Sequence, residues 1–152
     1  MLKVLFVCHG NICRSSMAEF LFKDYVAKKK QENSFYIESA ATSSEEIGNP
    51  VHHGTRRILN SLGIDCSCKK ARKIKSSDIH EFDFIIGMDQ YNISNLTRFF
   101  GTKNKIYSLL EFAGIDKDIS DPWYTGDFQK TYQDICIGIE AFYQYLVIKN
   151  RI

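Results

Sequence analysis

With 152 residues, 44% of them hydrophobic and 25% charged, the chain is long enough to bury a core and reads as one soluble domain over residues 1–152. Its formal net charge of +2 is too small for bulk attraction to nucleic acid, so any anion-binding surface must come from local clustering. The apolar opening LKVLFV is too short for a secretory core, and no other segment approaches membrane-spanning length. Five cysteines, an odd set with no secretory signal before them, fit reduced thiols in a cytoplasmic protein without membrane insertion.

Residues 2–7 form a continuous apolar run, expected as a strand, and 15–30 place apolar residues at helical spacing with a lysine-rich end. Residues 34–42 read as a second strand entering a polar loop, followed by a helix over 52–63 that stops on Gly63. A short turn at SSDI, a buried strand at 82–88 and a helix at 89–100 led by an acidic cap come next. A fourth strand (105–110) and an irregular segment (111–126) precede a closing helix over 127–149. Its residues Ile135, Ile139, Phe142 and Leu146 share one face. Strands alternating with helices predict an α/β fold, a four-stranded parallel sheet covered on both sides.

In such sheets ligands bind beyond the carboxyl ends of the strands, and the loop from Cys8 to Ser15 lies there. Its N–H groups and the positive end of the following helix suit a phosphate-like dianion, with Gly10 expected to permit a tight turn. The same field favours a thiolate over a thiol, which makes Cys8 a candidate nucleophile. Arg14, six residues on, can bring a guanidinium fork onto the oxygens of a bound phosphoryl group, a geometry lysine cannot reproduce. Ser15 can donate to the sulfur, and Asn11 can hold a left-handed turn by bonding to backbone. The alternative is a buried cysteine that merely ends a strand. A zinc site at Cys66 and Cys68 lacks the usual spacer and a second ligand pair, so no metal or cofactor is expected.

The stretches VCHGNICRSSMAE, SAATS with GNP, and DPWYTGDF, in that order along nearly the whole chain, resemble the low-molecular-weight protein tyrosine phosphatases. The resemblance implies a three-layer, flavodoxin-like sandwich (the phosphotyrosine phosphatase I-like fold) and hydrolysis of phosphotyrosine in proteins and of small aryl phosphates. It implies Cys8 as nucleophile, Arg14 as transition-state clamp and Asp121, followed by Pro122, as general acid and base. His9, Gly10, Asn11, Ile12, Cys13 and Ser15 would complete a phosphate-binding loop, with Ser39 in a supporting network. Trp123 and Tyr124 would wall the cleft, and Cys13 would form a reversible disulfide with Cys8 under oxidation. Phosphotyrosine-containing proteins and free oxyanions are the implied partners, with the chain a monomer or weak homodimer.

Several positions depart from the family pattern. Ser16 replaces the proline that commonly follows the arginine–serine pair, and Lys69 stands near where relatives often carry histidine, which puts the supporting network in question. Glu45 and Glu46 occupy a cleft-rim loop that is often aromatic, so substrates with Lys or Arg beside the phosphotyrosine are expected to be favoured. The run Lys69, Lys70, Arg72, Lys73 and Lys75 reads as a solvated face or an anionic-partner surface, and His52 and His53 as polar surface. Three rival functions remain. One is a phosphoarginine phosphatase, associated in this group with Thr where Ile12 stands. The others are a thiol-dependent arsenate reductase and a non-enzymatic phosphotyrosine-binding module.

Overall fold

The structure is a computed structural model that describes residues 1–152. The chain runs β1 (Leu2–Cys8), α1 (Arg14–Lys28), β2 (Phe35–Ala41), α2 (His53–Ser61), the short α3 (Asp78–Glu81), β3 (Phe84–Gly87), α4 (Gln90–Phe100) and β4 (Ile106–Ser108). A single-turn helix α5 (Pro122–Thr125) and the long α6 (Phe128–Ile148) close it. No helix is long and apolar enough to cross a membrane.

All pairings are parallel, in the order β2-β1-β3-β4. β1 is buried between β2 and β3, paired from Leu2↔Phe35 to Cys8↔Ala41 on one side and from Val4↔Phe84 to Val7↔Gly87 on the other. Alternation along β1 divides the core by the two-residue period of a strand. Val4, Phe6 and Cys8 join the larger cluster with α1 and α6, whereas Leu5 and Val7 join a smaller one with Ile85 and Leu96 of α4. Helices therefore cover both faces, and the strand order turns at β1, with β2 on one side and β3 on the other, which makes the end of β1 a topological switch point.

The expected strand over 105–110 is cut to three residues because Ser108 and Glu111 close a capping box, the Ser108 N–H reaching Glu111 Oε1 at 2.6 Å. Leu109 and Leu110 then bury side by side in a 3-10 turn under α6 instead of alternating across a strand. Gly138 makes that seat possible, since a Cβ there would lie 2.4 Å from Leu109 Cγ. The expected irregular segment likewise contains α5, started by Asp121 as cap and Pro122 at its first position.

Candidate active site

Cys8 ends β1, and its sulfur faces the loop that leads into α1. The N–H groups of Asn11 and Ser15 point at Sγ from 3.3 and 3.4 Å, and Ser15 Oγ lies 3.1 Å from it. The N–H groups of Gly10, Ile12, Cys13 and Arg14 have no acceptor within the protein, the condition of a cradle built for an anion. The left-handed residue in the loop is Asn11 (φ 64°), as its side chain led one to expect, and Gly10 does not take a positive φ. At Gly10 the constraint is crowding instead, because a Cβ would meet the Glu46 side chain at 3.3 Å.

A left-handed asparagine costs roughly 1–2 kcal/mol, and three hydrogen bonds offset it. Asn11 Nδ2 donates to Ser15 Oγ (2.8 Å) and Ser39 Oγ (2.9 Å), while its Oδ1 accepts the Arg72 N–H (3.2 Å). Ser15 Oγ thus accepts from Asn11, and its own proton can go to Cys8 Sγ at 3.1 Å or to the Ala40 carbonyl at 3.5 Å. Ser39 spends its proton on Glu19 Oε1 at 2.5 Å, which fixes the orientation of the whole relay. Glu19 is buried, so its charge must be paired, and Lys23 (2.6 Å) and Lys69 (3.1 Å) do so. Lys69 also donates to the Ser39 carbonyl at 2.9 Å. The lysine at this position therefore joins the network that its presence had put in question. Ser16, in place of proline, is fully buried and donates to the Cys13 carbonyl at 3.2 Å.

Arg14 is 2% exposed at the start of α1. Its Nη1 is held by Asp89 Oδ2 (2.7 Å) and the Ile119 carbonyl (2.8 Å), and Nη2 comes to 3.5 Å from Asp121 Oδ2. Asp89 is itself locked as the cap of α4 in a reciprocal pair with Asn92. Burial pulls the Arg14 pKa down, but Cys8, Asp89 and Asp121 outweigh it, so the guanidinium is held charged. Cys13 goes the other way: burial first, then the charges of Cys8 and Asp121, push its thiol up to about 12. The expected redox partner of Cys8 is thereby held as a thiol in the same loop. Asp121 Oδ1 accepts the Trp123 N–H at 3.0 Å, which aims Oδ2 back toward Arg14.

Cys8, His9, Gly10, Ile12, Cys13 and Arg14 line a cavity of about 370 Å³ together with Glu45, Glu46, Asp121, Trp123 and Tyr124. Asn11, Ser15 and Ser39 lie buried beneath it. Trp123 and Tyr124 stand exposed at the rim. Trp123 packs edge-on against His52, which stacks on Phe128 at 5.1 Å, so the Asp121 segment rests on the starts of α2 and α6. His52 is thus not mere polar surface: its Nδ1 caps α2 by accepting the Gly54 N–H at 3.1 Å. Burial, and then the neighbouring His53, lower its pKa and keep the ring neutral for that bond. Of the basic run, Lys69 serves the network and Arg72 pairs with Asp78 (3.0 Å) and Glu38 (3.4 Å), leaving Lys70, Lys73 and Lys75 exposed. Cys66 and Cys68 do not line the cavity, and nowhere do three His, Cys, Asp or Glu side chains cluster as a metal site would require. Sequence reasoning missed Glu19, Asp89 and the Ile119 carbonyl. Asp89 was visible only as a helix cap, and Glu19 only as a lone charge on the apolar side of α1.

The fold and this site together define an α/β protein that can hold a tetrahedral anion against a cysteine sulfur. Residues 3–151 match the family model described as low molecular weight phosphotyrosine protein phosphatase, and the chain belongs to that family. It is 44% identical to the low molecular weight protein-tyrosine-phosphatase YfkJ of Bacillus subtilis over 92% of each chain. It is 34% identical to PtpA of Staphylococcus aureus, a protein of the same description, over 97% of this chain and 95% of that one. The crystal structure of YfkJ superposes with a TM-score of 0.94 at 41% identity, covering 98% of this chain and 96% of that one. The drosophila arginine phosphatase DARP superposes with a TM-score of 0.88 at 31% identity, covering 95% of this chain and 97% of that one.

Proposed function

We propose that this enzyme hydrolyses phosphotyrosine in proteins through a phosphocysteine intermediate, with Cys8 as nucleophile, Arg14 as clamp and Asp121 as general acid and base. The observation that carries the reading is the convergence on one cavity of Cys8 Sγ, a ring of acceptor-free N–H groups, Arg14 and Asp121. Hydrogen bonds from Ser15 and two loop amides stabilise negative charge on Sγ. The sulfur attacks phosphorus, the ester P–O bond breaks, and Asp121 gives its proton to the departing phenolate. Water then attacks the phosphocysteine, Asp121 takes its proton, and the S–P bond breaks to release phosphate. The loop amides and Arg14 stabilise the charge spread over the equatorial oxygens in both steps.

The exposed Trp123 and Tyr124 give an aryl ring two flat faces beside the anion site. A second reading, phosphoarginine hydrolysis, draws support from the likeness to the drosophila arginine phosphatase. The apolar Ile12 on the cavity wall favours the aryl ester over a guanidino group. Phosphate release from a phosphotyrosine peptide and a phosphoarginine peptide, measured side by side in chelator, separates the two. The phosphotyrosine peptide is expected to be cleaved at least about tenfold faster in kcat/KM. Absence of cleavage in fresh, reduced protein overturns the proposal, and the reverse preference replaces it with the second reading.

Glu45 and Glu46 place two carboxylates on the cavity wall, and they support a preference for Lys or Arg beside the phosphotyrosine. Reversing both to lysine is expected to turn a preference of about threefold for Lys over Glu at the neighbouring position into the opposite one. A peptide profile unchanged by the double substitution would remove them from the account of specificity.

A further inference from the structure

A second cavity, of about 280 Å³, opens on the far side of His9, which lines both it and the catalytic cleft. Its other walls come from the end of β2 and the loop beyond (Thr42, Ser43), from Lys73 of the basic run, and from Arg98 and Phe99 of α4. The polarity is opposite to that of the cleft. No acidic residue lines it, and neither cation is neutralised: Lys73 makes no ion pair, and Arg98 bonds only to Asn95, at 3.2 Å. Thr42 adds a hydroxyl oxygen that is buried without a hydrogen-bond partner, a state that costs stability unless something supplies one. The half-exposed Phe99 contributes an apolar wall suited to the methylene stem of a longer side chain.

We propose that this cavity is a substrate subsite that takes the carboxylate of an Asp or Glu near the phosphotyrosine, held by Lys73 and Arg98. The inference rests on the phosphotyrosine reading above. His9 follows the nucleophile directly, so an extended peptide leaving the cleft past it reaches the second cavity within a few residues at about 3.3 Å each. The His9 carbonyl is tied to the Ser43 N–H and hydroxyl, and the exposed His9 ring meets Glu45 at 3.0 Å. A bound phosphopeptide would meet carboxylates on the Glu45 and Glu46 side and cations on the Lys73 and Arg98 side, which gives it one preferred direction.

The test is kcat/KM on a set of phosphotyrosine peptides in which a single Gln is changed to Glu at each position within about four residues of the phosphotyrosine. At one or two positions Glu is expected to raise kcat/KM about fivefold over Gln, and the double variant Lys73→Gln/Arg98→Gln loses that gain. The variant Lys70→Gln/Lys75→Gln removes the same formal charge from exposed sites outside the cavity and is expected to keep it. Equal loss in both variants, or no favoured Glu position in the wild type, overturns the subsite. p-Nitrophenyl phosphate, too small to reach the cavity, separates the two failures. If the wild type does not hydrolyse it, the phosphatase reading fails. If it does and the Glu effect is missing, only the subsite fails.

Discussion

Cys8→Ser is expected to abolish phosphate release from aryl phosphates, by about 10⁴-fold or more in kcat, while leaving oxyanion binding in place. A serine oxygen fits at Cys8, which is 3% exposed with its Sγ between the Asn11 and Ser15 N–H groups, so the loop keeps its shape. Those donors suit a sulfur nucleophile, whereas a serine hydroxyl is a far weaker nucleophile toward phosphorus. The anion cradle is made of backbone amides and Arg14, none of which the substitution touches. Titration of the variant with inorganic phosphate or vanadate, beside a wild-type assay with a phosphotyrosine peptide, checks both halves. Residual turnover within about tenfold of wild type would mean that sulfur is not the nucleophile.

Arg14→Lys is expected to lower kcat by on the order of 10³-fold with a smaller change in KM. The guanidinium spans three acceptors at once: Nη1 is anchored on Asp89 and Ile119, which leaves Nε and most of Nη2 for the phosphoryl oxygens. An ammonium is a point donor on a shorter plane of contact and cannot hold Asp89 and bridge two equatorial oxygens together. Because Asp89 is 15% exposed in its side chain and rigidly capped to Asn92, it would draw the lysine away from the cleft. Steady-state kinetics with the variant, read as a kcat loss against a KM loss, tests the assignment; a pure KM effect would make Arg14 a ground-state anchor only. Asp121→Asn has a different signature, a loss that grows with the basicity of the leaving phenol, since only poor leaving groups need the proton.

Much of the site was legible before any coordinates because its chemistry is local. The anion cradle, its sulfur and its guanidinium lie within Cys8 to Ser15, and the turn that aims them depends on residues of that same stretch. Asp121 was legible only through the resemblance of DPWYTGDF to the family motif; that it caps a short helix is a finding of the structure. Asn11 takes the left-handed turn it was expected to hold, and only its partners, on β2 and in the 70s segment, came from the fold. One local reading failed where long-range packing intervened. The 105–110 strand was drawn too long, because a run of apolar residues does not reveal that Leu109 and Leu110 are both buried, Leu109 against Gly138 of α6.

By itself, the sequence determined the order of strands and helices and the parallel sheet, from periodicity, and the loop of Cys8, Arg14 and Ser15, from neighbours a few positions apart. The acid segment came from its resemblance to the family motif. Only the tertiary structure decided which distant groups serve them: Asp89 on Arg14 across 75 residues, the Ile119 carbonyl across 105, and the Lys69–Glu19–Ser39–Asn11 relay beneath the sulfur. It also turned the charge run from a surface feature into a network lysine, a paired arginine and an unpaired Lys73 beside Arg98. The reason is that a buried charge or polar group takes whatever partner the packed chain brings within about 3 Å, and sequence separation carries no information about that distance.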